Sequence, residues 1–462
     1  MSDSNGDERR GYRRLSVVDA AFLLLERRET PMHVAGLMIY QLPPEAGPDF
    51  IKSLVRRFRS PKQLGAPWNL VLAKAPLSRL APAVHEISKL DFDYHVRHSA
   101  LPSPGGEREL GELISNLHGV WLDRSRPLWT CHIVEGLENG RFAIYLKIHH
   151  ALADGVRCIR FLESTHSIRP GDAIQAPWDR AVVERRAASG ARLRLAPPVI
   201  GPATLVMAAK HALSLNRPTG HVEARVKPFS APRSRLNGYV TNARRVATQQ
   251  LDIERLKRIA KRAGVSSNDV YLAVIGAALR SLLVAQDGLP ERSLIAAVPF
   301  SLRQRGDEGN GNRVAFSWAT LATDVADPKA RVSRIKASTA AAKAHVQSMP
   351  AAARPLITAT LAAPATFAGA LGLSRWLPPP MNLVVSNVPG PAATLYLGCA
   401  RLEALYPLSI PMQGQVLNIT CVSYGSHLNV GFTGSRDALP HLQRLAVLSG
   451  MALDELEQAY EN

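Results

Sequence analysis

The strongest constraint on this chain is a run of seven residues, His149-His150-Ala151-Leu152-Ala153-Asp154-Gly155, together with what flanks it. Before it stands Phe142-Ala143-Ile144-Tyr145-Leu146-Lys147-Ile148, an apolar stretch of strand length. After it, Gly155-Val156-Arg157-Cys158-Ile159-Arg160-Phe161-Leu162 reads as the start of a helix. The histidines therefore close a strand and the aspartate opens a helix, which calls for an α/β fold. The ends of strands in such folds display functional side chains. An imidazole held there can take a proton near neutral pH. The carboxylate of Asp154 fixes local geometry, by pairing with a cation or by capping the helix. Gly155 follows it, where its N–H reaches an oxyanion or its flexibility serves the turn. The plainer alternative is a pair of structural histidines beside a capping aspartate. A metal site of His149, His150 and Asp154 would need further ligands, but there is no H-E-x-x-H and no Cys/His cluster. No metal is expected.

At 462 residues, 46% of them hydrophobic, the chain has material for two or three domains and a sizeable core. Its four cysteines, Cys131, Cys158, Cys399 and Cys421, are scattered, which fits reduced core thiols in a cytoplasmic protein. Residues 1–14 are charged and polar, with no apolar stretch for a signal peptide, and are expected to form a disordered tail. The formal net charge of +18 is compatible with nucleic acid, an anionic membrane or a phosphate-bearing ligand. No nucleic-acid partner is expected, because no zinc finger or RNA-binding signature is present and few aromatics interleave with the basic runs. Solvated basic faces are the plain alternative.

Helix-like and strand-like segments alternate up to about residue 169. Residues 170–237 are rich in Arg, Pro and Ala, and read as a basic interdomain linker containing a helix such as 205–215. From 238 to 462 the mixture resumes: a strand near 244–251, helices over 253–262 and 268–285 with Ser267 as cap, strands near 294–298 and 314–321, and a long helix over 328–347. Later strands fall near 382–386, 415–424 and 427–432. Pro355 to Ser374 carries no charge and is long enough to cross a bilayer, yet it is built of Ala, Thr and Gly and is only mildly apolar. It is expected to be buried or to dip into a lipid interface.

Other short signatures accompany the histidine motif in order: Leu15-Ser16-Val17-Val18-Asp19-Ala20-Ala21-Phe22, Met32-His33-Val34-Ala35-Gly36-Leu37, Asp93-Tyr94-His95-Val96-Arg97, Pro127-Leu128-Trp129, Ser267-Asn268-Asp269-Val270, Val298-Pro299-Phe300-Ser301-Leu302-Arg303, Gly311-Asn312 and Ser386-Asn387-Val388-Pro389-Gly390-Pro391. With this set the chain resembles the bacterial wax ester synthase/diacylglycerol acyltransferase family, from about Leu15 to the last helix. The resemblance implies a two-domain coenzyme A-dependent acyltransferase fold, with mixed sheets, flanking helices and an active-site tunnel between domains 15–169 and 238–462. It implies an O-acyltransferase that esterifies diacylglycerol or long-chain alcohols, with acyl-CoA as co-substrate and no further cofactor. His150 would be the general base, His149 a supporting or second candidate, and Asp154 a structural carboxylate with Arg303 as a possible partner by analogy. Asn268 and Asp269 are pointed to as functional, the amide as an oxyanion donor, although Ser267-Asn268-Asp269 also reads as a helix cap. No G-x-S-x-G elbow is present, so direct attack without an acyl-enzyme is the expected route. The expected location is peripheral, on the inner face of an anionic membrane or on lipid droplets. The competing readings are a condensation-type amide or ester synthase and a non-catalytic lipid-surface protein.

Overall fold

The computed structural model describes residues 12–73, 82–179, 226, 229–301, 314–348 and 377–461. In the first part of the chain these form β1 (Arg13–Arg14), α1 (Val17–Leu25), β2 (His33–Gln41), α2 (Phe50–Arg59), β3 (Leu70–Leu72) and β4 (Ala83–Glu86). Then come α3 (Phe92–His95), β5 (Val96–Ala100), α4 (Glu107–Gly119), β6 (Trp129–Leu137), β7 (Arg141–His149) and α5 (Gly155–Thr165). The second part holds β8 (Arg244–Asp252), α6 (Ile253–Ala263), α7 (Ser267–Val284), β9 (Ile295–Ser301), β10 (Val314–Thr320) and α8 (Pro328–Ser348). It ends with β11 (Leu383–Val388), β12 (Tyr396–Leu397), β13 (Ala400–Leu408), β14 (Leu417–Tyr424), β15 (His427–Ser435) and α9 (Leu442–Glu461).

The chain divides into two compact units, one taking Met1–Pro197 and Ala393–Leu405, the other Pro198–Ala392 and Tyr406–Asn462. The first is built on a six-stranded sheet of order β12-β13-β2-β7-β6-β5, with a small sheet β1-β4-β3 beside it. β7 runs antiparallel to both β2 and β6, and β5 is parallel to β6. Phe142, Ala143, Ile144, Tyr145 and Ile148 are all buried on β7, so both of its faces are covered. That explains why its sequence is continuously apolar instead of alternating. Next to the sheet, Trp68, Trp129 and Trp178 are fully buried; Trp178 stacks on Trp129 at 4.5 Å and Trp68 meets Trp129 edge-on at 5.4 Å.

Three expectations about boundaries change here. Arg13 and Arg14, placed in a disordered tail, pair with Ala83 and Val84 as β1. Trp178, assigned to a linker over 170–237, is a core residue of the first unit, because its indole N–H also donates to Phe58 O at 2.8 Å. Residues 393–405, assigned with the rest of 238–462 to a second domain, belong to the first unit, since β12 and β13 complete its sheet. The backbone at Gly398 has φ +61, and a Cβ there would come 2.8 Å from Ile174 Cγ1, so glycine is required where this returning segment turns.

The second unit carries the sheet β10-β9-β11-β14-β15-β8, mixed because β11 is parallel to both β9 and β14. Its core is α7, whose buried residues run from Asp269 to Leu283 with few breaks. A Cβ at Gly276 would meet Leu321 O at 2.2 Å, so only glycine admits this close approach of helix to backbone. By length and composition α7 is the one described helix that would pass as a membrane span, and it is mostly buried inside the protein. The segments 180–194, 205–215, 311–312 and 355–374, and Arg303, lie outside the described residues.

Candidate active site

The histidine motif forms a tight loop between β7 and α5. His149 ends β7 and donates its N–H to Leu128 O at 2.9 Å, while the His150 N–H donates to Met32 O at 2.9 Å. Leu152 N–H then folds back onto His149 O at 2.9 Å. Asp154 is the N-cap of α5, its backbone extended and its Oδ1 accepting the Arg157 N–H at 2.8 Å. Gly155 is the first residue of that helix, so its N–H is among those that lack an intrahelical carbonyl. The capping reading of Asp154 is therefore realised.

The two imidazoles stand in different surroundings. His149 is fully buried; its Nδ1 accepts the Ala151 N–H at 3.1 Å, which leaves the proton on Nε2, 3.4 Å from Glu26 Oε1. Glu26 Oε1 also accepts the Met32 N–H at 2.9 Å, and Oε2 accepts Arg124 Nη2–H at 2.8 Å. Burial alone would raise the Glu26 carboxyl, but His149, the Met32 N–H and Arg124 together hold it below its ordinary value. The Ala151 N–H thus sets the tautomer of His149, an ionised carboxylate faces its Nε2–H, and His149 in turn carries the loop that presents His150. This is the arrangement of a positioning group, and it supports the orienting role expected for His149.

His150 is half-buried and stacks on Phe22, with ring centroids 4.0 Å apart and planes 21° from parallel. Burial, helped by the neighbouring His149 and opposed by Asp154, pushes its pKa from 6.5 down to about 4. The imidazole is consequently neutral near pH 7, the state a proton acceptor needs. Asp19, on α1, has its carboxyl raised by burial and by the charge of Asp154, against the hydrogen bond from Ser16 and the charge of Arg157. Two of the sequence signatures, around Asp19–Phe22 and Met32–His33, therefore meet the histidine loop.

Other signatures are structural supports of it. His95 Nδ1 donates to Trp129 O at 2.8 Å, and Trp129 Nε1 donates to Trp68 O at 2.8 Å. His33, paired in register with His149, is buried with Nε2 2.8 Å from His118 O. Lys147 is buried too, and its Nζ donates to Leu117 O and Val120 O at 2.7 Å each, at the end of α4. Loss of water pushes that ammonium down to about 7.

In the second unit, the cap of α7 is Ser266, not Ser267. Ser266 has extended backbone, its Oγ accepts the Asp269 N–H at 3.2 Å, and Asp269 Oδ2 accepts the Ser266 N–H at 3.0 Å. Asp269 Oδ1 also accepts Thr339 Oγ1–H at 2.6 Å, so this carboxylate is spent on structure. Asn268 remains half-exposed, and its Oδ1 accepts Asn387 Nδ2–H at 3.3 Å. The S-N-D and S-N-V-P-G-P signatures thus meet within this unit. Asn268 keeps the character of a hydrogen-bonding candidate, and Asp269 is engaged by the Ser266 cap and by Thr339.

Glu26, which faces His149, and Arg124, which pairs with Glu26, are not marked by any local pattern in the sequence, because they come together only through folding. Lys147 did leave a signal, a charge inside an apolar strand. Among the described residues no group of three or more His, Cys, Asp or Glu side chains is placed to hold a metal ion.

Comparison with known proteins bears on the family and the fold. A family model for the wax ester synthase/diacylglycerol acyltransferase catalytic domain matches residues 15–271, and one for the C-terminal domain of the same family matches 310–457. A protein of Mycobacterium tuberculosis that carries the name of a diacylglycerol O-acyltransferase is 41% identical over 458 residues, covering 96% of this chain and 98% of the relative. The solved wax ester synthase/diacylglycerol acyltransferase from Marinobacter aquaeolei superposes with a TM-score of 0.77 at 33% identity, over 97% of this chain and 100% of that one. A condensation domain of the calcium-dependent antibiotic synthetase has a TM-score of 0.58 at 16% identity, over 98% of this chain and 97% of that one, a likeness of fold alone.

Proposed function

The chain belongs to the wax ester synthase/diacylglycerol acyltransferase family, and on that premise we propose that it transfers the acyl group of an acyl-CoA to the hydroxyl of a diacylglycerol or a long-chain alcohol, with His150 as general base. The observation that carries this reading is the division of labour between the two histidines. His149 is buried and pinned by Ala151 and Glu26, while the next residue presents a neutral, half-buried imidazole against Phe22.

The chemistry follows from that placement. The acceptor hydroxyl gives its proton to His150 as its oxygen attacks the thioester carbonyl. A C–O bond forms, the carbonyl oxygen gathers negative charge, and collapse breaks the C–S bond. The proton on His150 then passes to the departing thiolate, and the base is restored. The backbone N–H of Gly155 at the start of α5 is the candidate in the first unit for stabilising the oxyanion. Glu26 and Arg124 act through His149 and hold the loop. Asp154 shapes the start of α5. Both substrates carry long apolar chains, and the formal charge of +18 is of the sign that anionic lipid attracts, so the acceptor is met at a membrane or droplet surface.

Purified protein given acyl-labelled acyl-CoA with either dioleoylglycerol or hexadecanol should move the label into triacylglycerol or wax ester. Hydrolysis of the acyl-CoA that is indifferent to both acceptors would overturn the reading.

A further inference from the structure

α1 has the sequence V-V-D-A-A-F-L-L-L, apolar but for Asp19. Such a segment is ordinarily core, yet from Asp19 to Leu25 only Leu23 is buried, and Leu24 is 54% exposed. Directly after it, Arg27 and Arg28 are exposed. Arg124 joins this helix end to a second exposed turn: its Nη2 donates to Leu23 O at 2.6 Å while its Cζ lies 5.5 Å from the centre of the Trp121 ring. Val120, next to that tryptophan, is 59% exposed. One exposed leucine would need no explanation. Here a leucine, a valine and a half-buried tryptophan share one locality with two exposed arginines.

Of the acids nearby, Glu26 is buried and answered by Arg124, and Asp123 faces Arg126 Nε at 3.6 Å. Glu29 stands beside Arg27 and Arg28, so the locality keeps an excess of positive charge. Exposed apolar side chains beside two exposed arginines match the interfacial layer of a bilayer carrying anionic headgroups. The same helix carries Phe22, which stacks on His150, so whatever α1 touches lies close to the catalytic loop.

We infer that the C-terminal end of α1, with Leu24, Arg27 and Arg28, and the Val120–Trp121 turn form the face by which this protein docks on an anionic phospholipid surface. The inference rests on the reading that the acceptor is lipid-borne, and it names the part of the molecule that meets the lipid. Each arginine close to an anionic leaflet strengthens partitioning about fivefold, so reversing two should cost at least about tenfold.

The test is flotation of the full-length protein with vesicles of phosphatidylglycerol and phosphatidylcholine, against vesicles of phosphatidylcholine alone. Wild type should bind the anionic vesicles more tightly and lose binding as salt is raised. The double variant Arg27→Glu, Arg28→Glu and the double variant Leu24→Asp, Val120→Asp should each bind the anionic vesicles at least about tenfold more weakly, with acyl transfer to detergent-dispersed acceptor unchanged. A control with the same charge change on α6, Lys257→Glu with Lys261→Glu, should bind as wild type does. Patch variants that bind like wild type, or a control that loses as much as they do, would overturn this assignment while leaving the lipid-surface reading intact. Failure of wild type to prefer anionic vesicles would overturn both.

Discussion

A histidine proposed as a base must be unprotonated when the hydroxyl arrives, and the surroundings of His150 favour that state. Its folded-state value of about 4 lies below the 6.5 of a free imidazole, because burial against Phe22 disfavours the cation. The folded protein therefore binds fewer protons at this site than the unfolded chain between those two values. The destabilising contribution is complete below about 4 and is relieved as pH rises toward 6.5. The acid limb of kcat/KM should accordingly lie nearer 4 than 6.5, and a limb at the ordinary imidazole value would show that a different histidine carries the proton. Glu26→Gln should weaken both stability and turnover. It leaves the buried Nε2–H of His149 facing an uncharged amide and removes the charge partner of Arg124, a loss of about 1–3 kcal/mol in unfolding free energy. Thermal unfolding and turnover of the same variant check this together. His149, His150 and Asp154 were legible because their arrangement is local. Glu26 and Arg124 were not, since they stand 98 residues apart and meet only in the fold.

At the level of the element, Asp154 is read through α5. Its side chain satisfies one of the unpaired N–H groups at the helix start, and Asp154→Ala should cost about 1 kcal/mol of stability. Asp154→Asn keeps the acceptor and should keep most of that stability. If the Asn variant is as active as wild type, the cap is the whole role of this residue; a selective loss of rate would assign a part to its charge beside Asp19 and Arg157. The start of α7 shows where reading a cap from sequence slips by a position. Ser266 and Ser267 are adjacent and both can cap. Only Ser266 stands three residues before Asp269, and that spacing lets the two side chains bond each other's backbone N–H groups. The strands and helices with long, consistent patterns, β7, α6 and α8, were legible to within a residue or two. The short ones, β1 and β12, hold two residues each and have no pattern to read.

For the whole molecule, the mixed α/β class and the family were legible, because ordered signatures span nearly the full chain. The routing of the chain was not. β12 and β13 leave the second half of the sequence to complete the first unit's sheet, and nothing in a nine-residue strand such as β13 states which sheet it will join. The same return seats Gly398 against Ile174, so Gly398→Val should lower the melting temperature by several degrees, through a strained backbone and a side-chain clash at once. An unchanged melting temperature would show that this turn relaxes freely. What the molecule does as a unit comes down to whether the hydroxyl of an acceptor is activated at His150. The direct measurement is the rate of thiol release from palmitoyl-CoA by wild type and by a folded His150→Ala variant, each with and without diacylglycerol or hexadecanol. Release should require an acceptor and should fall by about 10²–10⁴-fold in the variant. Release that ignores the acceptor, or a variant that turns over like wild type, would contradict the account.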